Sequence, residues 1–398
     1  MINTTKKVIW LCDNASDSIS SVEYKLRKFT ETHDIEIKEL DKDEHTYSEA
    51  DFNFLFVNVI HFGNDLYFPG GEASLLKHIK GDFIQRHKNI GIVCWYASEA
   101  DRYWERRSKE FLEHLKDHKI FYISGNLNAN ILYESISHPY EKVYPLNYFE
   151  NAINKQKVVV SSLNEVKHSD FICLMRKSRP HRAALLLKLI SADIEKNNKI
   201  SFLQTDFSTL NKDTFFQTAV EYLNKNNEVD MLRSMCYNDI KFTRSLDAIN
   251  LSPFSADLTV NPFLQEISNN VYFNLVSETW TNSLFITEKT YHSICFGMPF
   301  VVWGEQGILA ELKRQGYKTF DMMFDESYDL CEDPSKRLEL LVKSVETFCK
   351  KTREEKDEMY KKSFSTIRHN QINYIKRQGV YEKEFYRILD DISRRLTK

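Results

Sequence analysis

Short apolar runs and longer amphipathic segments alternate along the first half of the chain. Residues 8–12, 54–60, 91–95 and 119–123 are apolar nearly throughout and predict strands buried on both faces. Residues 20–32, 72–86, 102–116 and 128–138 lie between and after them and predict helices. The rhythm weakens over 143–169, where the hydrophilic stretch 164–169 predicts a domain junction. A second series then runs strand 171–175, helix 181–196, strand 200–204, helix near 213–223, strand 271–277, helix 288–296, strand 299–303 and helix 308–315. From about Pro334 the chain is charged and helical. Such alternation predicts an α/β protein with mostly parallel sheets. The expected organisation is a Rossmann-like domain over 1–160, a second over 165–350, and a helical segment 351–398 that packs back toward the first.

Composition narrows this picture only a little. At 398 residues the chain is longer than single cores usually grow, in keeping with two domains. A net charge of -3 gives no bulk attraction to nucleic acid. The seven cysteines, Cys12, Cys94, Cys173, Cys236, Cys295, Cys331 and Cys349, are scattered, odd in number and mostly within apolar runs. That is the usage of reduced core thiols rather than of a disulfide frame or a zinc cluster. No run approaches the roughly 18–20 apolar residues of a spanning helix, and the first residues are too weakly apolar for a signal peptide. The expectation is a cytoplasmic protein with no transmembrane segment and at most peripheral membrane contact.

Two constellations carry candidate chemistry. Arg176, Lys177, Ser178, Arg179, Pro180, His181 and Arg182 stand between a buried strand and a helix start. Proline suits the first helical position, and the free N–H groups there attract anions. Guanidinium forks match phosphate oxygens, so Arg176, Lys177 and Arg182 are candidate diphosphate contacts, although a solvated basic turn would read the same way. The second constellation is Thr287-Glu288-Lys289 at another helix start. Thr287 suits a helix cap and Glu288 suits the positive helix end without any further role. Lys289 gains nothing from that end unless an anion is nearby. A carboxylate can accept both hydroxyls of a ribose while the ammonium meets a phosphate. Glu278 closes the preceding strand and is a candidate for sugar hydroxyls in the same pocket. Trp280 and Tyr291 suit either that pocket or the core. Neither a GxxxxGK[ST] nor a GxGxxG pattern occurs, and the lone D-x-D, Asp41-Lys42-Asp43, sits in a charge run. With no convincing ligand cluster, no metal is expected.

Residues 171–182, FICLMRKSRPHR, and 284–317, LFITEKTYHSICFGMPFVVWGEQGILAELKRQGY, together resemble the fucosyltransferase-like and exostosin-like glycosyltransferases found in bacteria and bacteriophages. The resemblance covers about 170–330. The first half shares only the strand–helix rhythm. The resemblance implies a GT-B architecture, two Rossmann-like domains facing a central cleft, with the donor in the second domain. It further implies metal-independent inverting transfer from a nucleotide-diphosphate sugar, UDP- or GDP-linked, with no other cofactor. Arg176 and Arg182 would meet the diphosphate, Glu288 the ribose and Lys289 a phosphate oxygen.

An inverting transfer needs a carboxylate base, and the resemblance places it in the first domain. Three residues come after predicted strands or a glycine turn there: Glu72, Glu99 and Asp13. Each also suits an ordinary loop or first-turn role. The acceptor is a bacterial surface glycan or, alternatively, a hydroxymethylated base in bacteriophage DNA, with glucose, arabinose or another pentose as the sugar. A glycan-binding or scaffold protein without turnover is the remaining reading. The oligomeric state is not legible.

Overall fold

The computed structural model describes residues 6–11, 35–39, 54–58, 91–96, 117–134, 140–152, 158, 166–175, 178–202, 212–237, 242–244 and 269–396. Contacts divide the chain into two units. The first joins Met1–Asn151 to Gly379–Lys398, and the second is the continuous segment Ala152–Gln378.

The first unit is a six-stranded sheet of β1 (Lys6–Leu11), β2 (Ile35–Glu39), β3 (Phe54–Asn58), β4 (Gly91–Tyr96), β5 (Lys119–Ser124) and β6 (Tyr140–Pro145). Its order is β2-β1-β3-β4-β5-β6, and every pairing is parallel. Ile92, Val93 and Cys94 of β4 and Ile120 to Ile123 of β5 are fully buried, as continuous apolar runs in a covered parallel sheet should be. The edges, β2 and β6, mix charged with apolar residues and were not foreseen as strands. Helix α1 (Ala129–Glu134) contributes Tyr133 to a ring cluster with Tyr122 and Tyr140, and the short α2 is Tyr148–Ala152.

The second unit is a five-stranded sheet of β7 (Ser169–Met175), β8 (Lys199–Phe202), β9 (Phe242–Arg244), β10 (Val271–Ser277) and β11 (Phe300–Trp303), in the order β11-β10-β7-β8-β9. All pairs are parallel except β8 with β9. Strand order runs outward in both directions from β7, so the gap between β7 and β10 is a topological switch point. Helices α3 (Pro180–Ser191), α4 (Lys212–Val220), α5 (Asn226–Tyr237), α6 (Glu288–Cys295), α7 (Ile308–Arg314), α8 (Pro334–Cys349) and α9 (Arg353–Lys376) complete it. Helix α3 stops at Ser191 rather than continuing to 196. Asp193 adopts a left-handed φ of 58°, and the Ile194 N–H turns back to the Leu189 carbonyl, a helix-ending geometry. Phe171, Phe273, Phe324 and Phe348 pack ring to ring behind the sheet.

The charged tail is helical as expected, but its helices go to different units. Helix α9 belongs to the second, whereas α10 (Val380–Leu396) belongs to the first. Phe385, Leu389 and Ile392 of α10, spaced four and three apart, are fully buried on one face. The Asp391 carboxylate accepts from Lys142 Nζ and Tyr144 Oη on β6, each at 2.9 Å. Both units carry a Rossmann-like sheet, parallel throughout in the first and parallel but for β9 in the second, the architecture consistent with GT-B enzymes.

Candidate functional site

In doubly wound sheets, ligands bind beyond the carboxyl ends of the strands where the winding reverses. Here that place is formed by the segments leaving β7 and β10, and the chain puts most of its described polar candidates there.

Glu278 is the centre of the arrangement. It comes directly after β10, is fully buried, and its N–H donates to the Trp303 carbonyl of β11 at 2.9 Å. Its carboxylate accepts from the Thr287 N–H at 3.0 Å, the Thr290 hydroxyl at 2.6 Å and the Thr287 hydroxyl. Threonines three apart on a helix start lie on one side, so both hydroxyls reach the same carboxylate. A buried polar group needs such partners, and three donors fix the start of α6 against the end of β10.

The Thr287 hydroxyl also accepts from Lys289 Nζ at 2.9 Å, which links the buried carboxylate to the rim. Lys289 Nζ makes two further contacts, to Thr279 Oγ1 at 3.2 Å and Glu288 Oε1 at 2.8 Å. The Glu288 and Lys289 side chains keep about a quarter of their surface, 25% and 27%. Burial pushes the Glu288 carboxyl up, but the Lys289 ammonium outweighs it and holds the group below its ordinary value. The pair is therefore ionised, accessible and held in one geometry.

Arg182 approaches from α3. It is 3% exposed, and its guanidinium donates to the carbonyls of Ser277 at 3.3 Å and Glu278 at 3.1 Å. Burial, reinforced by the charge of Arg179, lowers it to about 10, which still leaves it a cation at neutral pH. Its donors tie α3 to β10, while its charge stays beside the switch point. His181 donates from Nε2 to the same Glu278 carbonyl at 3.1 Å, since a carbonyl can only accept. Burial and the neighbouring Arg182 hold His181 well below its ordinary value, so the ring is neutral. Arg179 lies over the Trp280 ring, 4.2 Å from guanidinium carbon to centroid. Charges from the two constellations reach each other: Glu288 supports the Arg182 cation and Lys289 opposes protonation of His181.

The helix starts at this sheet edge differ. Helix α3 begins at Pro180 and has no side-chain cap from Arg179. Helix α6 is capped by Thr287. Helix α7 is sealed from within, because Asp329 Oδ2 accepts from the N–H groups of Leu309 at 3.1 Å and Ala310 at 3.2 Å. Pro180, His181 and Arg182 thus head the one start of the three with neither kind of side-chain cap. Pro180 has no N–H and the Arg182 N–H donates to the Arg179 carbonyl at 3.0 Å, so what this start offers an anion beside the carboxylate–ammonium pair is the positive end of the helix dipole.

No protein-family model and no curated protein sequence matches the chain. Solved structures do. Over 97% of its length the chain is similar to HepE of Anabaena in complex with UDP and glucose, at 10% identity, 100% coverage of that chain and a TM-score of 0.47. It is similar to the BGT of T4 phage in complex with UDP and Mn2+, at 10% identity over 97% of this chain and 99% of that one, with a TM-score of 0.45. An alpha1,3-fucosyltransferase shares 10% identity over 96% and 93% of the two chains, with a TM-score of 0.39. These likenesses are distant, and the functional reading rests on the side chains of the switch point.

Arg182, Glu278, Thr287, Glu288 and Lys289 are brought together around the switch point. Arg176 and Lys177, and the base candidates Asp13, Glu72 and Glu99, lie outside the described residues. Thr290 and Asp329 were not singled out from sequence. The Thr287–Thr290 spacing was the available signal for the first; nothing local marks the second. Among the described residues no group of three or more His, Cys, Asp or Glu side chains converges as a metal site.

Proposed function

We propose that the protein is a glycosyltransferase that binds a nucleotide-diphosphate sugar at the β7–β10 switch point and transfers the sugar to a hydroxyl of a bacterial surface glycan. The observation that carries this reading is the Glu288–Lys289 pair, ionised and part-exposed, held through Thr287 on the buried Glu278 beside the uncapped start of α3.

In the proposed complex, Glu288 and Lys289 exchange their mutual contact for the donor: the carboxylate accepts the ribose hydroxyls and the ammonium meets a phosphate oxygen. The anionic diphosphate lies against the start of α3, where Arg176 and Lys177 add charge and Arg182 contributes its field from behind. A carboxylate from among Glu72, Glu99 and Asp13 takes the proton of the acceptor hydroxyl. Its oxygen attacks the anomeric carbon from the face opposite the diphosphate, the carbon–oxygen bond to phosphate breaks, and configuration inverts. The leaving diphosphate takes up the negative charge, which Lys289 and the helix terminus stabilise, so no metal is required in this scheme.

The test is a thermal-shift panel of UDP-, GDP-, dTDP-, ADP- and CMP-linked sugars, with and without EDTA, because selective binding stabilises the folded state. The expected result is a shift with one diphosphate sugar, insensitive to EDTA and reduced by Lys289→Ala. Folded protein that responds to none of them would overturn the reading.

A further inference from the structure

Helix α9 changes character along its length. Its first two turns hold Glu354, Glu355, Asp357 and Glu358, whereas 361–378 contains Lys361, Lys362, Arg368, Lys376 and Arg377 and no acidic residue. In a chain of net charge -3 that is a local excess of one sign. Lys361, Lys362, Ser365, His369, Ile372, Ile375 and Lys376 are exposed. Their spacing by threes and fours gathers them into one stripe, with half-buried Arg368 at its side. Ile372 and Ile375 stand 52% and 51% exposed within that basic stripe.

The opposite face is fully employed. Asn370 brackets Lys318, accepting from its N–H at 2.7 Å and donating to its carbonyl at 2.8 Å. Gln371 donates to the Cys295 carbonyl of α6 at 3.4 Å, and Asn373 to the Gln315 carbonyl at 3.1 Å. These three amides, the groups suited to reading base edges, are turned inward onto backbone. The outward face keeps cations and branched aliphatic side chains. That combination fits a surface that is anionic at its headgroups and apolar just beneath, rather than a hydrated polyanion.

We propose that the 361–376 face of α9 docks on an anionic lipid surface. Lys361, Arg368 and Lys376 meet the lipid phosphates, Lys362 being paired with Glu358 at 2.6 Å, and Ile372 and Ile375 enter the boundary between headgroups and acyl chains. No described helix is long and apolar enough to cross a membrane. Through Gln371 and Cys295, the docked helix backs directly onto α6, which carries Glu288 and Lys289. Lipid docking does not depend on the donor reading.

Co-sedimentation of the full chain with vesicles tests it, comparing phosphatidylcholine alone with mixed phosphatidylcholine and phosphatidylglycerol. Binding is expected only to the mixed vesicles and to weaken with added salt. Lys361→Glu with Lys376→Glu, and separately Ile372→Ser with Ile375→Ser, should each lower the partition coefficient about tenfold or more. All four positions are exposed, and an unchanged melting temperature confirms that the variants fold. Equal binding to both vesicle types, or binding untouched by the isoleucine pair, would overturn the proposal. So would duplex DNA bound in preference to mixed vesicles and lost only with the lysine pair. A donor thermal shift retained in both variants would separate this outcome from failure of the donor site.

Discussion

Helices α6 and α7 come after neighbouring parallel strands of one sheet, yet their starts are finished in opposite ways. At α7 the chain supplies its own acceptor: the Asp329 carboxyl, 4% exposed, occupies the N–H groups of Leu309 and Ala310. At α6 the buried carboxylate of Glu278 fixes the threonines beneath, and an ionised pair is left part-exposed at the rim. The difference tracks strand position. The strand before α6, β10, borders the switch point; β11, before α7, is the sheet edge. Both starts are closed by the chain itself, but only the one at the switch point leaves a carboxylate–ammonium pair part-exposed at the rim.

The sharpest way to break this contrast is Glu278→Ala. It removes the acceptor for three donors within a closed site, and the second unit should lose about 3 kcal/mol of stability. Chemical denaturation followed by a probe in that unit should show the loss, with the donor response gone as well. A variant as stable as the parent would mean that Glu278 does not organise α6. Next, Lys289→Ala should leave the denaturation midpoint nearly unchanged while donor affinity, read by calorimetry, falls roughly ten- to hundredfold, the range of a charged hydrogen bond. Asp329→Ala should do the reverse at the sealed start. About 1–2 kcal/mol of stability is lost with the cap, and donor affinity holds. If Asp329→Ala weakened the donor as much as Lys289→Ala did, the two starts would not be functionally distinct.

The smallest effect concerns pH. His292 of α6 is held down to about 4, chiefly by burial, with Glu288 opposing the shift and Lys289 adding to it. The unfolded histidine titrates near about 6.5. Between those values the unfolded chain takes up a proton that the folded one refuses, so stability falls as pH falls from about 6.5 toward 4 and is intact above. His292→Gln should flatten that part of the stability profile. An unchanged slope would assign the acid lability elsewhere, with buried His181 the first alternative.

Much of the scaffold was legible because buried parallel strands have little choice of composition. VYFNLVS over Val271–Ser277 was located to the residue, and the β7 and β11 runs nearly so. The strands that escaped were edges: IEIKE, YEKVYP and the three-residue FTR, where water on one side permits charge or where the run is too short for periodicity. Helix α5, NNEVDMLRSMCY, was hidden by its polar start. In the site, Thr287, Glu288 and Lys289 were readable from helix-start chemistry. The inward duty of Glu278 was not, because a carboxylate after a strand looks the same whether it faces a ligand or three buried donors. Arg182 presents the same ambiguity, since its carbonyl partners lie on β10, far away in sequence.

The first unit closes on α10, whose Asp391 grips Lys142 and Tyr144 on the edge strand β6. The second unit is one continuous segment, whereas the first is assembled from two. Without Gly379–Lys398 the first unit leaves β6 without these partners. A chain cut before Gly379 would lose the Asp391 contacts and the apolar face of Phe385, Leu389 and Ile392, leaving an edge strand for chaperones to shield.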